Sequence, residues 1–181
     1  MVEDKRTRHT KKRIRQAMLE CLNSTSLDKI TVMQLCETAD INRSTFYAHY
    51  PNPIALYKVL EQSMSEGMSL HFQSLKSRSI SYMDFLCHFL RYCKDERDLF
   101  LALYLTDSVS LKADFVELIE RYGFLADTVP QNERTYIFVY YISGVFSVIA
   151  RWLREDQERS IDEMAKLVYR LTHAPRDQQS S

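Results

Sequence analysis

Apolar residues recur at three- and four-residue spacing along almost the whole chain, and very little interrupts them. Ile14, Ala17, Met18, Cys21 and Leu22 form one such stripe. Val32, Leu35, Cys36 and Ala39 form a second, and Leu56, Leu60, Met64 and Met68 a third. That period belongs to a helix with one buried face, whereas a half-buried strand needs alternation in twos. With only 3 Gly and 4 Pro, the chain lacks the breakers that a turn-rich β fold requires. The expected fold class is all-α, with helices over about residues 8–24, 32–39, 43–49, 53–75, 80–94, 95–105, 109–122, 131–155 and 161–172.

Local start signals agree with this pattern. Thr31 and Gln34 have the form of a capping box, as do Ser160 and Glu163. Asn42 is placed to cap the helix that opens at Arg43. Asn52 precedes Pro53, which suits a first helical position because its missing N–H has no partner there anyway. Gly123 is placed to end a helix. A length of 181 residues allows a small domain joined to a larger one, and the polar tail 175–181 is expected to fray.

Net charge is zero, but unevenly spread. Residues 1–50 hold 9 Lys and Arg against 6 Asp and Glu, and the excess sits in Lys5, Arg6, Arg8, Lys11, Lys12, Arg13 and Arg15. A basic end on a neutral protein points to a polyanion contacted at that end, with a solvated basic tail as the plain alternative. Cys21, Cys36, Cys87 and Cys93 show no Cys-x-x-Cys spacing and read as small apolar side chains of a cytoplasmic protein. No signal peptide is visible. The apolar stretch Tyr136 to Leu153 is broken by Ser143, Gly144, Ser147 and Arg151, so it reads as a buried helix rather than a membrane span.

The densest region covers residues 29–57, with a helix-turn-helix between about Thr31 and Tyr50. It holds a short amphipathic helix, a tight connection at Asp40-Ile41-Asn42, and a short polar and aromatic helix. So short a helix must be held by its neighbours. It would then present Arg43, Ser44, Thr45, Tyr47 and His49 outward, with Phe46 inward and Tyr50 apolar enough to face the core as well. Arg donates two parallel bonds to a guanine edge, Ser and Thr bond base edges or phosphates, and Tyr and His bond phosphates. The capped helix starts at Thr31 and Asn42 aim backbone N–H groups toward phosphates. The expected DNA-binding set is Thr31, Asn42, Arg43, Ser44, Thr45, Tyr47, His49 and Tyr50, with Lys12 on the first helix. Tyr47 as core and His49 as a local backbone partner are the plain readings.

Residues 10–57 resemble the DNA-binding domain of the TetR family of regulators. The likeness rests on Ile30-Thr31-Val32, Leu35-Cys36, Ala39, then Ile41-Asn42-Arg43-Ser44-Thr45-Phe46-Tyr47-x-His49-Tyr50, and Leu56. Residues 121–171 resemble the C-terminal region of a subgroup of that family typical of low-GC Gram-positive bacteria, through Tyr140-Tyr141-x-x-Gly144 and Trp152-Leu153. The resemblance implies a DNA-binding domain over 1–52 and a helical dimerisation and effector domain over 53–174. It further implies a homodimer, double-stranded DNA as partner, a small-molecule effector and usually a repressor of a near-palindromic operator. The chain departs from the family at Asp40-Ile41-Asn42, where many members place Gly. It departs again at Pro53, where many place a phosphate-binding Lys; Lys58 lies one turn further on.

Met64, Met68, Phe85, Phe89 and Tyr92 are candidate effector-pocket residues, though stripes at helical spacing are more often plain core. Ser143, Gly144 and Ser147, with Trp152 as a buried anchor, form the expected dimer seam; packing within one chain is the alternative. His71, Cys87, His88 and Cys93 match no zinc spacing, so no metal or cofactor is expected. Phosphate loops and nucleophile motifs are absent, and no enzyme is expected. A different class of function remains open: a helical module whose C-terminal part binds a protein, with DNA binding secondary.

Overall fold

Several helices begin where a side chain satisfies their first N–H groups, and the computed structural model shows such caps on α-helices opening at Lys5, Val32, Arg43, Pro53, Tyr82 and Ile161. It describes residues 4–73, 80–106, 109–121, 134–155 and 158–173, which hold nine α-helices and no strand. These are α1 (Lys5–Leu22), α2 (Val32–Ala39), α3 (Arg43–Tyr47), α4 (Pro53–Gln73), α5 (Tyr82–Asp95), α6 (Arg97–Leu105), α7 (Val109–Arg121), α8 (Arg134–Glu155) and α9 (Ile161–His173). Gly123, the tail from 175, and the expected helix ends at 74–75, 122 and 131–133 lie outside the described residues.

The Thr31 hydroxyl accepts from the Gln34 N–H at 3.2 Å, and Gln34 Oε1 accepts from the Thr31 N–H at 3.0 Å. Asn52 Oδ1 accepts from the Ala55 N–H at 2.8 Å and opens α4 at Pro53. Ser160 and Glu163 form the expected box at the start of α9. A further box, Ser81 with Asp84, opens α5. Helix α1 starts three residues earlier than its apolar stripe suggests, because Asp4 accepts from the Arg6 N–H. Helix α3 ends at Tyr47 rather than 49, and a 3-10 turn at Leu27–Lys29 was not anticipated by the apolar period.

Helix α1 packs on α2 and reaches α4 and α6; α4 lies on α7, α6 on α8, and α5 along α9. One apolar cluster runs from Ile14 to Val168. Its widest part is aromatic: the Phe89 and Phe115 centroids lie 4.3 Å apart, Phe115 and Phe146 5.3 Å, and Phe100 and Phe146 5.6 Å. Met64, Met68, Phe85, Phe89 and Tyr92 are all buried in this cluster. As the chain stands they are packed core, and an effector would have to displace them. Cys36 and Cys93 are buried, and burial pushes both thiols up; Cys21 and Cys87 are only half-buried.

Helices α4 and α5 approach closely where Gly67 faces Tyr92. The Tyr92 hydroxyl donates to the Met64 carbonyl at 3.0 Å, and a Cβ at position 67 would collide with it. Gly67→Ala gains about 1 kcal/mol of helix propensity. It also strains a packed core by about 1–3 kcal/mol and disturbs a buried hydrogen bond worth about 1 kcal/mol. Urea unfolding of Gly67→Ala should show a net loss of about 1–3 kcal/mol; stability at or above that of the parent would contradict this packing.

Candidate nucleic-acid interface

The five residues of α3 are anchored at their centre by Phe46, which is fully buried. Asn42 fixes the start. Its Oδ1 accepts from the Thr45 N–H at 2.8 Å and from the Ser44 and Thr45 hydroxyls, both at 2.7 Å. Both hydroxyls therefore spend their protons on the cap and offer lone pairs outward. Arg43 and Ser44 are exposed, and Tyr47 is 56% exposed although its ring edge meets Phe46. Tyr50 departs from the expected set. It is only 9% exposed and its ring packs on Phe46, so it supports α3 from beneath.

The turn into α3 has a feature the sequence did not reveal. Asp40 sits in the left-handed region, φ 47° and ψ 56°, a conformation that favours Gly. The Asp40 N–H reaches the Glu37 carbonyl at 3.1 Å and the Ile41 N–H the Cys36 carbonyl at 3.0 Å, which closes α2 as a Schellman motif. Asp is among the few non-Gly residues that tolerate this conformation. Arg13 then clamps it from α1, donating to the Asp40 carbonyl at 2.7 Å and to its carboxylate at 2.8 Å. Arg13 thus holds the turn, a role that its place in a basic run disguised.

Two grooves flank α3. One, of about 600 Å³, is lined by Met33, Cys36, Glu37, Asp40, Ile41, Asn42 and Arg43. The other, of about 900 Å³, brings Lys5, Arg6, His9 and Arg13 of α1 against Asn42, Thr45 and His49. Ser44 and Tyr47 line neither groove and are exposed. The basic start of α1 and the polar face of α3 therefore form one continuous surface. Lys12 is exposed on α1 but lies outside the larger groove, whereas Lys5 and Arg6 line it. The Thr31 hydroxyl is committed to Gln34, so what that position offers a phosphate is the first-turn N–H groups of α2. At the expected helix-four contact, Pro53 is half-buried and Lys58 exposed.

The expected seam on α8 is brought together only in part. Gly144 is exposed, and a Cβ there would meet none of the described residues within 4 Å. It lines a groove of about 270 Å³ with Tyr140, Tyr141, Val145 and, from α9, Val168 and Leu171. Ser147 instead accepts from the Tyr104 hydroxyl of α6 at 3.2 Å. Trp152 is no surface anchor. It is 2% exposed, its indole N–H donates to the Arg159 carbonyl at 3.0 Å, and Lys94 lies over its ring. The apolar reading that marked Trp152 for an interface is satisfied within the chain.

His71 and His88 have ring centroids 5.5 Å apart, while Cys87 bonds Asp162. Among the described residues no group of three or more His, Cys, Asp or Glu could hold a metal ion, and no helix is long and apolar enough to cross a membrane.

Residues 81–174 match the family model TetR_C_8, a transcriptional regulator C-terminal region. The chain resembles the crystal structure of a TetR transcriptional regulator from Streptococcus agalactiae, at 21% identity over 93% of this chain and 96% of that one, with a TM-score of 0.62. A TetR-like regulator from Rhodococcus is 16% identical over 90% and 93%, with a TM-score of 0.66. The fatty acid degradation regulator FadR from Bacillus halodurans is 10% identical over 97% and 99%, with a TM-score of 0.62. No curated protein matches by sequence.

The Asp40 turn generates a prediction. Asp40→Ala keeps the left-handed strain, which costs about 1–2 kcal/mol for a residue with a Cβ, and loses the carboxylate. Asp40→Gly loses the same ion pair but relieves the strain. Thermal unfolding should rank Asp40→Ala clearly below Asp40→Gly; equal losses would show that strain is not what Asp40 manages.

Proposed function

The chain belongs to the TetR family of transcriptional regulators, and from that premise we propose that it binds a near-palindromic operator as a homodimer, with α3 in the major groove. The observation that carries this is the surface on which Lys5, Arg6 and His9 of α1 meet Asn42, Thr45 and His49, beside the exposed Arg43, Ser44 and Tyr47. Positive charge and backbone N–H groups at the edge hold phosphates; the exposed Arg43, Ser44 and Tyr47 read bases. In this reading residues 1–52 form the reading domain and 53–174 the dimerisation and effector domain. Effector binding opens the core around Met64, Met68, Phe85, Phe89 and Tyr92 and releases the DNA, so the protein acts as a repressor.

The second copy sits on α8 and α9. Tyr136, Val139 and Tyr140 are exposed on α8, Tyr169 and Leu171 on α9, and together they leave an apolar face beside Gly144. A mid-helix Gly costs about 1 kcal/mol relative to Ala. Among the described residues nothing lies within 4 Å of a Cβ placed at position 144, so the close approach that offsets this cost comes from a second copy. Sedimentation should therefore find Gly144→Leu shifted toward monomer while its helix content is kept. A Gly144→Leu protein that dimerises as tightly as the parent would rule out this seam.

Selection from a random double-stranded pool tests the reading domain. The parent should enrich an inverted repeat. Arg43→Ala should relax base preference within each half-site, whereas Lys12→Ala should weaken binding to all sequences alike and lower the slope of log affinity against log salt by about one. An Arg43→Ala variant with undiminished preference would remove Arg43 from the reading surface.

A further inference from the structure

Arg15 belongs by sequence to the basic run of α1, yet it does not line the groove that gathers Lys5, Arg6, His9 and Arg13. Its guanidinium turns to the body of the protein. Nη1 donates to the Ser63 hydroxyl of α4 at 3.1 Å, and Nη2 pairs with Glu96 Oε2 at 3.2 Å. Glu96 is the single residue between α5 and α6, and it serves both as the end of one and the start of the other. Its neighbour Arg97 reaches the opposite way, donating from Nε to the Leu153 carbonyl near the end of α8 at 2.9 Å. Trp152, one residue earlier, is fixed by the Arg159 carbonyl and covered by Lys94 from α5. Two adjacent residues at one joint thus hold α1 on one side and the C-terminal end of α8 on the other.

We propose that Arg15 is a positioning residue: through Glu96 and Arg97 it sets the angle between the reading domain and α8, and with it the spacing of half-sites that the dimer accepts. The proposal rests on the dimeric DNA-binding reading above. Its logic is geometric. Each reading domain touches one half-site, while the distance between the two is fixed through α8 and whatever links α8 to α1. Both Arg15 and Glu96 are more than a third exposed at the side chain, so their ion pair adds little to stability. Its effect falls on orientation, where a small rotation at the joint is carried to the far edge of α3.

The test uses the full-length protein and its selected operator, with zero, one or two base pairs added or removed at the centre. Arg15→Met keeps the apolar stem and removes the charge. Glu96→Gln removes the partner at a position that cannot be a phosphate ligand. Both variants should bind the matched spacing about threefold more weakly and tolerate altered spacings better than the parent does, a modest coupling of the size expected for such contacts. Both should keep the parent's affinity for a single half-site and its salt slope. The exchange Arg15→Glu with Glu96→Arg should recover the parent's spacing profile. If Arg15→Met lowers the salt slope by about one, Arg15 is a phosphate ligand and the proposal fails. An unchanged spacing profile in Glu96→Gln also overturns it. A parent protein that selects no DNA would instead overturn the regulator reading itself, which these variants do not touch.

Discussion

A helix of five residues has no stability of its own, and the presentation of Arg43, Ser44, Thr45 and Tyr47 depends on how α3 is held. Phe46 supplies the hold from below. It is fully buried, with Tyr50 packed beside it. Asn42 supplies it at the start, with one side-chain oxygen receiving three donors. The third support is the left-handed turn at Asp40, closed by the hydrogen bonds that end α2 and clamped by Arg13. These supports occupy the inner side and the ends of α3, which leaves its outer side polar and accessible. That division between inner support and outer display is what the proposed reading surface on so short an element requires.

The remaining helices give that surface a base. The aromatic stack through Phe85, Phe89, Phe115 and Phe146 ties α5, α7 and α8 together, and Tyr92 locks α5 to α4 across Gly67. Burial pushes the Tyr92 phenol well above its ordinary range, so it remains a neutral donor to the Met64 carbonyl. A second polar link joins α4 to the end of α6. The Thr106 hydroxyl donates back into its own helix, so Tyr57 donates to Thr106 at 2.7 Å. Helices α4 and α6 are therefore joined by a directional bond as well as by apolar packing.

Local features were legible in the sequence because their physics is local. The caps at Thr31, Asn42, Asn52 and Ser160 involve partners three residues away, and the apolar stripes fix helix faces directly. The Ser81–Asp84 box is less legible because Asp stands where Glu or Gln usually marks the pattern. Long-range choices were not legible. Arg13 and Arg15 look alike in a basic run, yet one clamps a turn 27 residues away and the other pairs with a residue 81 away. Trp152 looked like an interface anchor because only the fold shows that Arg159 and Lys94 satisfy it. Tyr50 looked like part of the reading face because α3 ends at Tyr47 and the chain then turns inward.

The central claim is that α3 reads the major groove as one of a pair. Methylation interference on the selected operator tests it most directly, because guanine N7 lies in the major groove and adenine N3 in the minor groove. The account predicts two clusters of guanine interference centred about 10 base pairs apart, or a multiple of that, on one face of the duplex. Interference confined to adenine N3, or a single unpaired cluster, would contradict it.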